Sequence, residues 1–60
     1  MTREDLIENR IKLAKQADAN GMTLLRKKEF RKAKFEFALA QGCYHAVVVE
    51  LEKLIEEKKR

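Results

Sequence analysis

Sixty residues carrying 14 Lys and Arg, 10 Asp and Glu, one Cys and no Pro or Trp leave room for a single small domain, and a chain of that size buries only ~60% of its unfolded surface. The lone Cys43 excludes an internal disulfide and argues against a cysteine-based metal site, so self-association or a partner remains as the usual way for so small a fold to gain stability. The net charge of +4 is spread along the whole chain and does not by itself establish nucleic-acid binding.

With 40% charged residues and long runs of Ala, Leu, Glu, Lys and Arg, the composition predicts an all-α fold. The longest uncharged run, Phe37 to Val49, is 13 residues interrupted by Gln41, Gly42 and His45, too short and too polar for a bilayer span, so no membrane contact is expected. Met1 to Arg10 is charged where a secretory signal would be apolar, and the expected setting is a reducing cytoplasm, in keeping with an unpaired thiol.

Thr2 is suited to cap a first helix, because its hydroxyl can accept from first-turn amides while Glu4 and Asp5 sit at the positive end of the helix dipole. Leu6, Leu13, Ala17 and Leu24 form one stripe at helical spacing, with Ile7, Ile11, Ala14, Met22 and Leu25 in a second stripe beside it. Lys27 and Lys28 suit the negative end, which places helix 1 at about residues 3–28. Asn20-Gly21 in isolation reads as a turn, with Thr23 able to cap a new helix; a Gly held inside one continuous helix because another backbone comes close is the alternative adopted.

Helix 2 is predicted over about residues 30–41, with Phe30, Ala33, Phe37 and Ala40 on one face and Phe35, Ala38 and Leu39 toward another neighbour. Gly42 is expected to end it in a left-handed conformation. Helix 3 is predicted over about residues 43–59, with Tyr44, Val47, Val48, Leu51, Leu54 and Ile55 on one face and Lys58, Lys59 and Arg60 at its negative end. Val47-Val48-Val49 favours strand locally, yet a lone strand would have nothing to pair with. Glu8 with Lys12 and Glu56 with Arg60 are spaced as i,i+4 ion pairs.

Gly21-x2-Leu24, Ala33-x3-Phe37, and the flanking Phe30 and Ala40 resemble one tetratricopeptide repeat (TPR), a 34-residue helix-turn-helix covering Ala14 to about Val47 here. Ala17, Asn20 and His45 depart from the family's usual Trp, Leu and Pro. The resemblance implies an antiparallel hairpin in which Gly21 and Ala33 let the helices approach while Phe30 and Phe37 fill the flanks, a capping third helix, and a protein-binding role. Asp18 and Met22 stand where some family members carry the Lys and Asn of a carboxylate clamp. The Ala-rich hairpin and short length are also similar to three-helix microtubule-interacting-and-trafficking domains.

A helix over 3–28 would be about 39 Å long and one over 30–41 about 18 Å. Leu6, Ile7, Ile11 and Leu13 are therefore expected to overhang without cover, each forfeiting roughly 1.5 to 3 kcal/mol in water. A second copy of the chain, or a target helix, is the expected occupant. A break at Asn20-Gly21 would instead fold the first helix back into a self-contained bundle.

Cys43 and His45, two apart on a helix, point about 200° from each other and cannot share a metal or act as nucleophile and base. Ser is missing altogether, as are a Gly-rich phosphate loop and a spaced ligand cluster. Neither enzymatic activity nor a cofactor is expected. Arg26, Lys27, Lys28, Arg31, Lys32 and Lys34 gather near the hairpin turn, interrupted by Glu29 and Glu36. They fit an acidic protein partner or, as the rival class, a small nucleic-acid-binding regulator. The sequence thus points to a non-enzymatic interaction module, an adaptor or inhibitor of a larger protein and a homodimer, with partner-binding residues Leu6, Ile7, Ile11, Met22, Leu25, Arg26, Lys27, Arg31 and Lys34.

Overall fold

A computed structural model describes residues 2–58 and shows two antiparallel helices, α1 (Arg3–Arg26) and α2 (Phe30–Lys58), with no strand among the described residues. The all-α expectation holds, but two helices stand where three are predicted. Residues 30–41 and 43–58 are one 29-residue helix running straight through Gly42, which has no positive φ. Residue 59, the predicted end of helix 3, and the Glu56–Arg60 pair lie outside the described residues.

α1 opens as its sequence predicts. The Thr2 Oγ1 accepts from the Asp5 amide at 3.1 Å, and the Asp5 carboxylate accepts from the Thr2 amide at 3.2 Å. These are the two reciprocal bonds of a capping box, so two of the amides left over at a helix start are satisfied. The helix then passes unbroken through Asn20-Gly21. Asn20 accepts from Gln16 one turn earlier at 3.2 Å, and Thr23 Oγ1 donates back to the Ala19 carbonyl at 3.1 Å. The hydroxyl thereby serves the helix it belongs to instead of capping a new one.

The hairpin turn is three residues long, and α1 ends two residues earlier than predicted. The Glu29 amide donates to the Leu24 carbonyl at 2.9 Å and the Lys28 amide to the Leu25 carbonyl at 3.0 Å, with Lys28 at φ 63°. This is a Schellman closure in which a lysine occupies the left-handed position that glycine normally takes. The Glu29 carbonyl then receives the Ala33 amide at 3.0 Å and starts α2, while Lys32 Nζ reaches the Glu29 carboxylate at 3.3 Å.

The seam between the helices is built from small residues. Ile7, Ala14, Ala17 and Gly21 of α1 are buried against Ala33, Ala40 and Val47 of α2, and Cys43 packs beside Ala14, Ala17 and Ala40. Ala33, Ala40 and Val47 repeat every seven residues, as do Ile7, Ala14 and Gly21, which is the period that keeps a seam facing its partner helix. A Cβ built on Gly21 would stand 2.8 Å from the Phe37 ring tip. Glycine is what lets the ring lie there. Phe30, expected to fill the opposite flank, is instead 61% exposed.

Because α2 is uninterrupted, it covers the whole of α1, and the predicted overhang does not exist. At ~1.5 Å per residue the helices are about 36 and 44 Å long, in a molecule measuring 50 × 16 × 12 Å. Ile7 is only 8% exposed and Leu6 and Ile11 are half-buried; of the four residues expected to lie uncovered, Leu13 alone is exposed, at 52%. The open end is fastened by Arg3, whose guanidinium bridges Glu50, at 3.2 Å, and Glu57 of the other helix. Lys53 adds a 3.5 Å contact to Glu50.

Candidate functional site

The packed seam uses only part of the apolar surface of either helix. Phe37, Gln41, Tyr44, Val48, Leu51 and Ile55 follow one another at alternating steps of four and three residues, the spacing of a single helical row. The row runs unbroken past Gly42. Tyr44, Val48, Leu51 and Ile55 are all exposed, Val48 at 51% and Ile55 at 55%. On α1 the same alternation links Ile11, Lys15, Asp18, Met22 and Leu25, of which Met22 and Leu25 are exposed.

These two rows lie on the same broad face of the hairpin. The opposite face is identified by its surface depressions: one is lined by Arg10 together with Leu39, Cys43 and Ala46, another by Leu6 together with Glu50, Lys53 and Glu57. Leu6 and Arg10 therefore share an edge with Leu39 and Cys43. In a two-helix molecule the remaining edges, Ile11 to Leu25 on α1 and Phe37 to Ile55 on α2, must share the other face.

Charges near the two ends of the hairpin do not all share that face. Glu4 and Glu8 of α1 stand at the open end, and Arg26 of α1 with Arg31 and Lys34 of α2 at the turn end, whereas Glu52 and Glu56 of α2 line a depression with Arg3, Lys53 and Glu57 on the opposite side. Glu4, Glu8, Arg26, Arg31, Lys34, Glu52 and Glu56 are all exposed, and among the described residues none belongs to the ion pairs within the hairpin, which join Arg3, Glu29, Lys32, Glu50, Lys53 and Glu57. The Glu8–Lys12 pair read from the spacing is not formed.

The residues proposed from sequence for partner binding do not form one surface. Ile7 is sealed in the seam and offers nothing to a partner. Leu6 lies on one edge of α1 and Ile11 on the other, whereas Met22 and Leu25 are exposed on the same edge as Ile11. Arg26, Lys27, Arg31 and Lys34 are exposed around the turn. The exposed α2 row is not among the residues proposed from sequence. Its signal is the four-three spacing from Phe37 through Gln41 to Ile55, which a helix end at Gly42 would interrupt.

Cys43 is half-buried in the middle of α2, away from any helix start, and His45 is exposed. Among the described residues no three His, Cys, Asp or Glu side chains are grouped to hold a metal ion, and no helix is long and apolar enough to cross a membrane. The antiparallel pair carries nothing that distinguishes a TPR hairpin from other helical hairpins. No protein-family model matches the chain, and comparisons with curated proteins and with solved structures return no significant match.

Proposed function

We propose that this chain is a non-enzymatic protein-interaction module whose working surface is the face formed by the Phe37–Ile55 row of α2 and the Ile11–Leu25 row of α1. The observation that carries this is the exposure of large apolar side chains in register along α2. Single exposed hydrophobic residues are ordinary, but a continuous apolar face is how interaction sites are built. The hairpin's own seam is mostly alanine, and among the described residues no large side chain is fully buried, so much of its apolar surface stays in water. The TPR resemblance points the same way, because that family binds other proteins, and the setting proposed is the cytoplasm.

The test is capture by the tagged full chain against a Val48→Glu, Ile55→Glu variant shown by circular dichroism to stay helical. Wild type is expected to retain a defined protein at fixed stoichiometry, an untagged copy of itself counting as one, and the variant to retain none. Retention of nothing by wild type, or equal retention by both, refutes the proposal. A second reading rests on the exposed cations around the turn, which could contact nucleic-acid phosphates. Binding to random duplex that falls steeply with salt and is lost in Arg31→Glu, Lys34→Glu would favour it; no binding near physiological salt would remove it.

A further inference from the structure

We infer that the turn end of α2 docks on an anionic lipid surface, which it meets with Phe30, Arg31, Lys34 and Phe35. This patch is separate from the two apolar rows proposed above to bind protein, because it centres on the outward side of α2.

Phe30 and Phe35 are the most exposed large apolar side chains among the described residues, at 61% and 66%. Neither has a place in the seam. At ~100° per residue, Phe30, Lys34, Ala38, Arg31 and Phe35 fall in that order around an arc of about 140°, turned away from Ala33 and Ala40, which are buried against α1. Arg31, Lys34, Phe35 and Ala38 line one shallow depression, so the two cations and Phe35 share a surface, with Phe30 at its other margin. Lys27 and Lys28 adjoin it from the turn, and both are exposed.

Among the described residues Lys27, Lys28, Arg31 and Lys34 enter none of the ion pairs, whereas Glu29 in the turn is engaged by Lys32 at 3.3 Å. The patch therefore offers positive charge to an outside anion. Clusters of this kind are drawn to anionic leaflets, with about fivefold in affinity for each Lys or Arg near the surface. The flanking phenyl rings can enter the boundary between headgroups and acyl chains while the Lys and Arg stems extend to the phosphates. Glu52 and Glu56, exposed on the outward side of α2, lie about 30 Å farther along at ~1.5 Å per residue, and the same surface repels them. The rod thus meets the membrane by its turn end and stands off it. No helix among the described residues is long and apolar enough to cross a membrane; a contact at the surface requires none.

The shape and chemistry of the patch favour lipid over other anionic partners. It is convex, being the outer side of a helix, and residues 30–38 include no Ser, Thr, Asn or Gln to read a base edge. A duplex would take the cations through its phosphates and leave both rings in water. A folded protein would need an apolar recess of matching shape, whereas fluid lipid closes around a projecting ring.

Co-sedimentation of the full chain with vesicles tests this. Binding is expected to phosphatidylcholine vesicles containing about 30% phosphatidylserine, to fall steeply with salt, and to be weaker by about tenfold or more with phosphatidylcholine alone. Arg31→Gln with Lys34→Gln should weaken it about 25-fold. Phe30→Ala with Phe35→Ala should weaken it by about tenfold or more with the salt dependence retained, and Leu13→Ala, which removes another exposed apolar side chain, should leave it unchanged. Each variant should keep the wild-type circular dichroism, because the side chains removed are exposed. Failure to bind the anionic vesicles at low salt, equal binding to both kinds of vesicle, or full binding by the phenylalanine variant overturns the inference. Retention of a single-stranded oligonucleotide that needs both rings, with none of the vesicles, assigns the patch to nucleic acid instead. Capture tested by Val48→Glu, Ile55→Glu reads a different surface, so either proposal can fail without the other.

Discussion

Two glycines in this chain should respond oppositely to the same substitution. Gly42 lies inside α2 without a positive φ, and a Cβ built there meets no atom within 4 Å. Gly42→Ala therefore gains helix propensity with no steric cost, about 0.8 to 1 kcal/mol. At roughly 4 to 8 °C per kcal/mol for a domain of this size, melting should rise by about that interval.

Gly21→Ala brings the same propensity gain, but its Cβ would stand 2.8, 2.9 and 3.0 Å from three atoms of the Phe37 ring, where carbon atoms prefer about 3.5 to 4 Å. Overpacking of this kind costs about 1 to 3 kcal/mol. The ring is half-exposed, so the least costly response is to swing outward and give up part of its burial. The net effect is a loss of about 0 to 2 kcal/mol, and the two variants should differ by about 1 to 3 kcal/mol. Urea and thermal melts followed by far-ultraviolet circular dichroism would measure this, at one fixed protein concentration because an associating chain melts higher when more concentrated. Destabilisation by Gly42→Ala would mean a left-handed helix end at that residue and would refute the continuous α2. Equal stabilisation by both variants would remove the Phe37 ring from Gly21.

Lys28 holds the left-handed position of the turn at φ 63°, so Lys28→Gly should stabilise the hairpin by about 1 kcal/mol, seen as a higher urea midpoint at unchanged slope; a lower midpoint would contradict the Schellman turn. Ala14 is fully buried in the seam, and Ala14→Leu should cost about 1 to 3 kcal/mol by forcing the helices apart, while Ala19→Leu on the exposed side should change little; equal effects would argue against a close seam. Thr2→Ala should cost about 1 kcal/mol and speed hydrogen exchange at the Asp5 amide, which donates to the Thr2 hydroxyl at 3.1 Å; unchanged exchange there would refute the cap. Arg3→Ala, which removes the bridge to Glu50 and Glu57, should cost up to about 1 kcal/mol at low salt and less at high salt, because the pairs are partly solvated. A loss that does not change with salt would mean that Arg3 acts through packing.

Local chemistry was legible wherever it is decided within a few residues. Thr2 is legible as the cap and Asp5 as a first-turn charge, although the return bond from the Thr2 amide to the Asp5 carboxylate came from the structure, and the spacing from Leu6 to Leu25 specifies a helix whatever it packs against. The exposed apolar face was half legible: Ile11, Met22 and Leu25 could be seen, but Ile7, one position along the same stripe as Ile11, falls in the seam. A helical wheel orders residues around an axis without saying where the neighbour stands.

The sequence by itself determined that the chain is helical, where α1 begins, and that a turn falls near Lys28. What it could not settle was the fate of Gly42, because a glycine between two helix-forming stretches costs only about 1 kcal/mol when held inside a helix. Continuing the helix lets Val47 enter the seam opposite Ile7 and brings Glu50 and Glu57 to Arg3. Those gains come from residues far apart in the chain and outweigh the local preference. Tertiary packing thus decided the number of helices, the cover over the amino-terminal half of α1, and which apolar edge remains exposed.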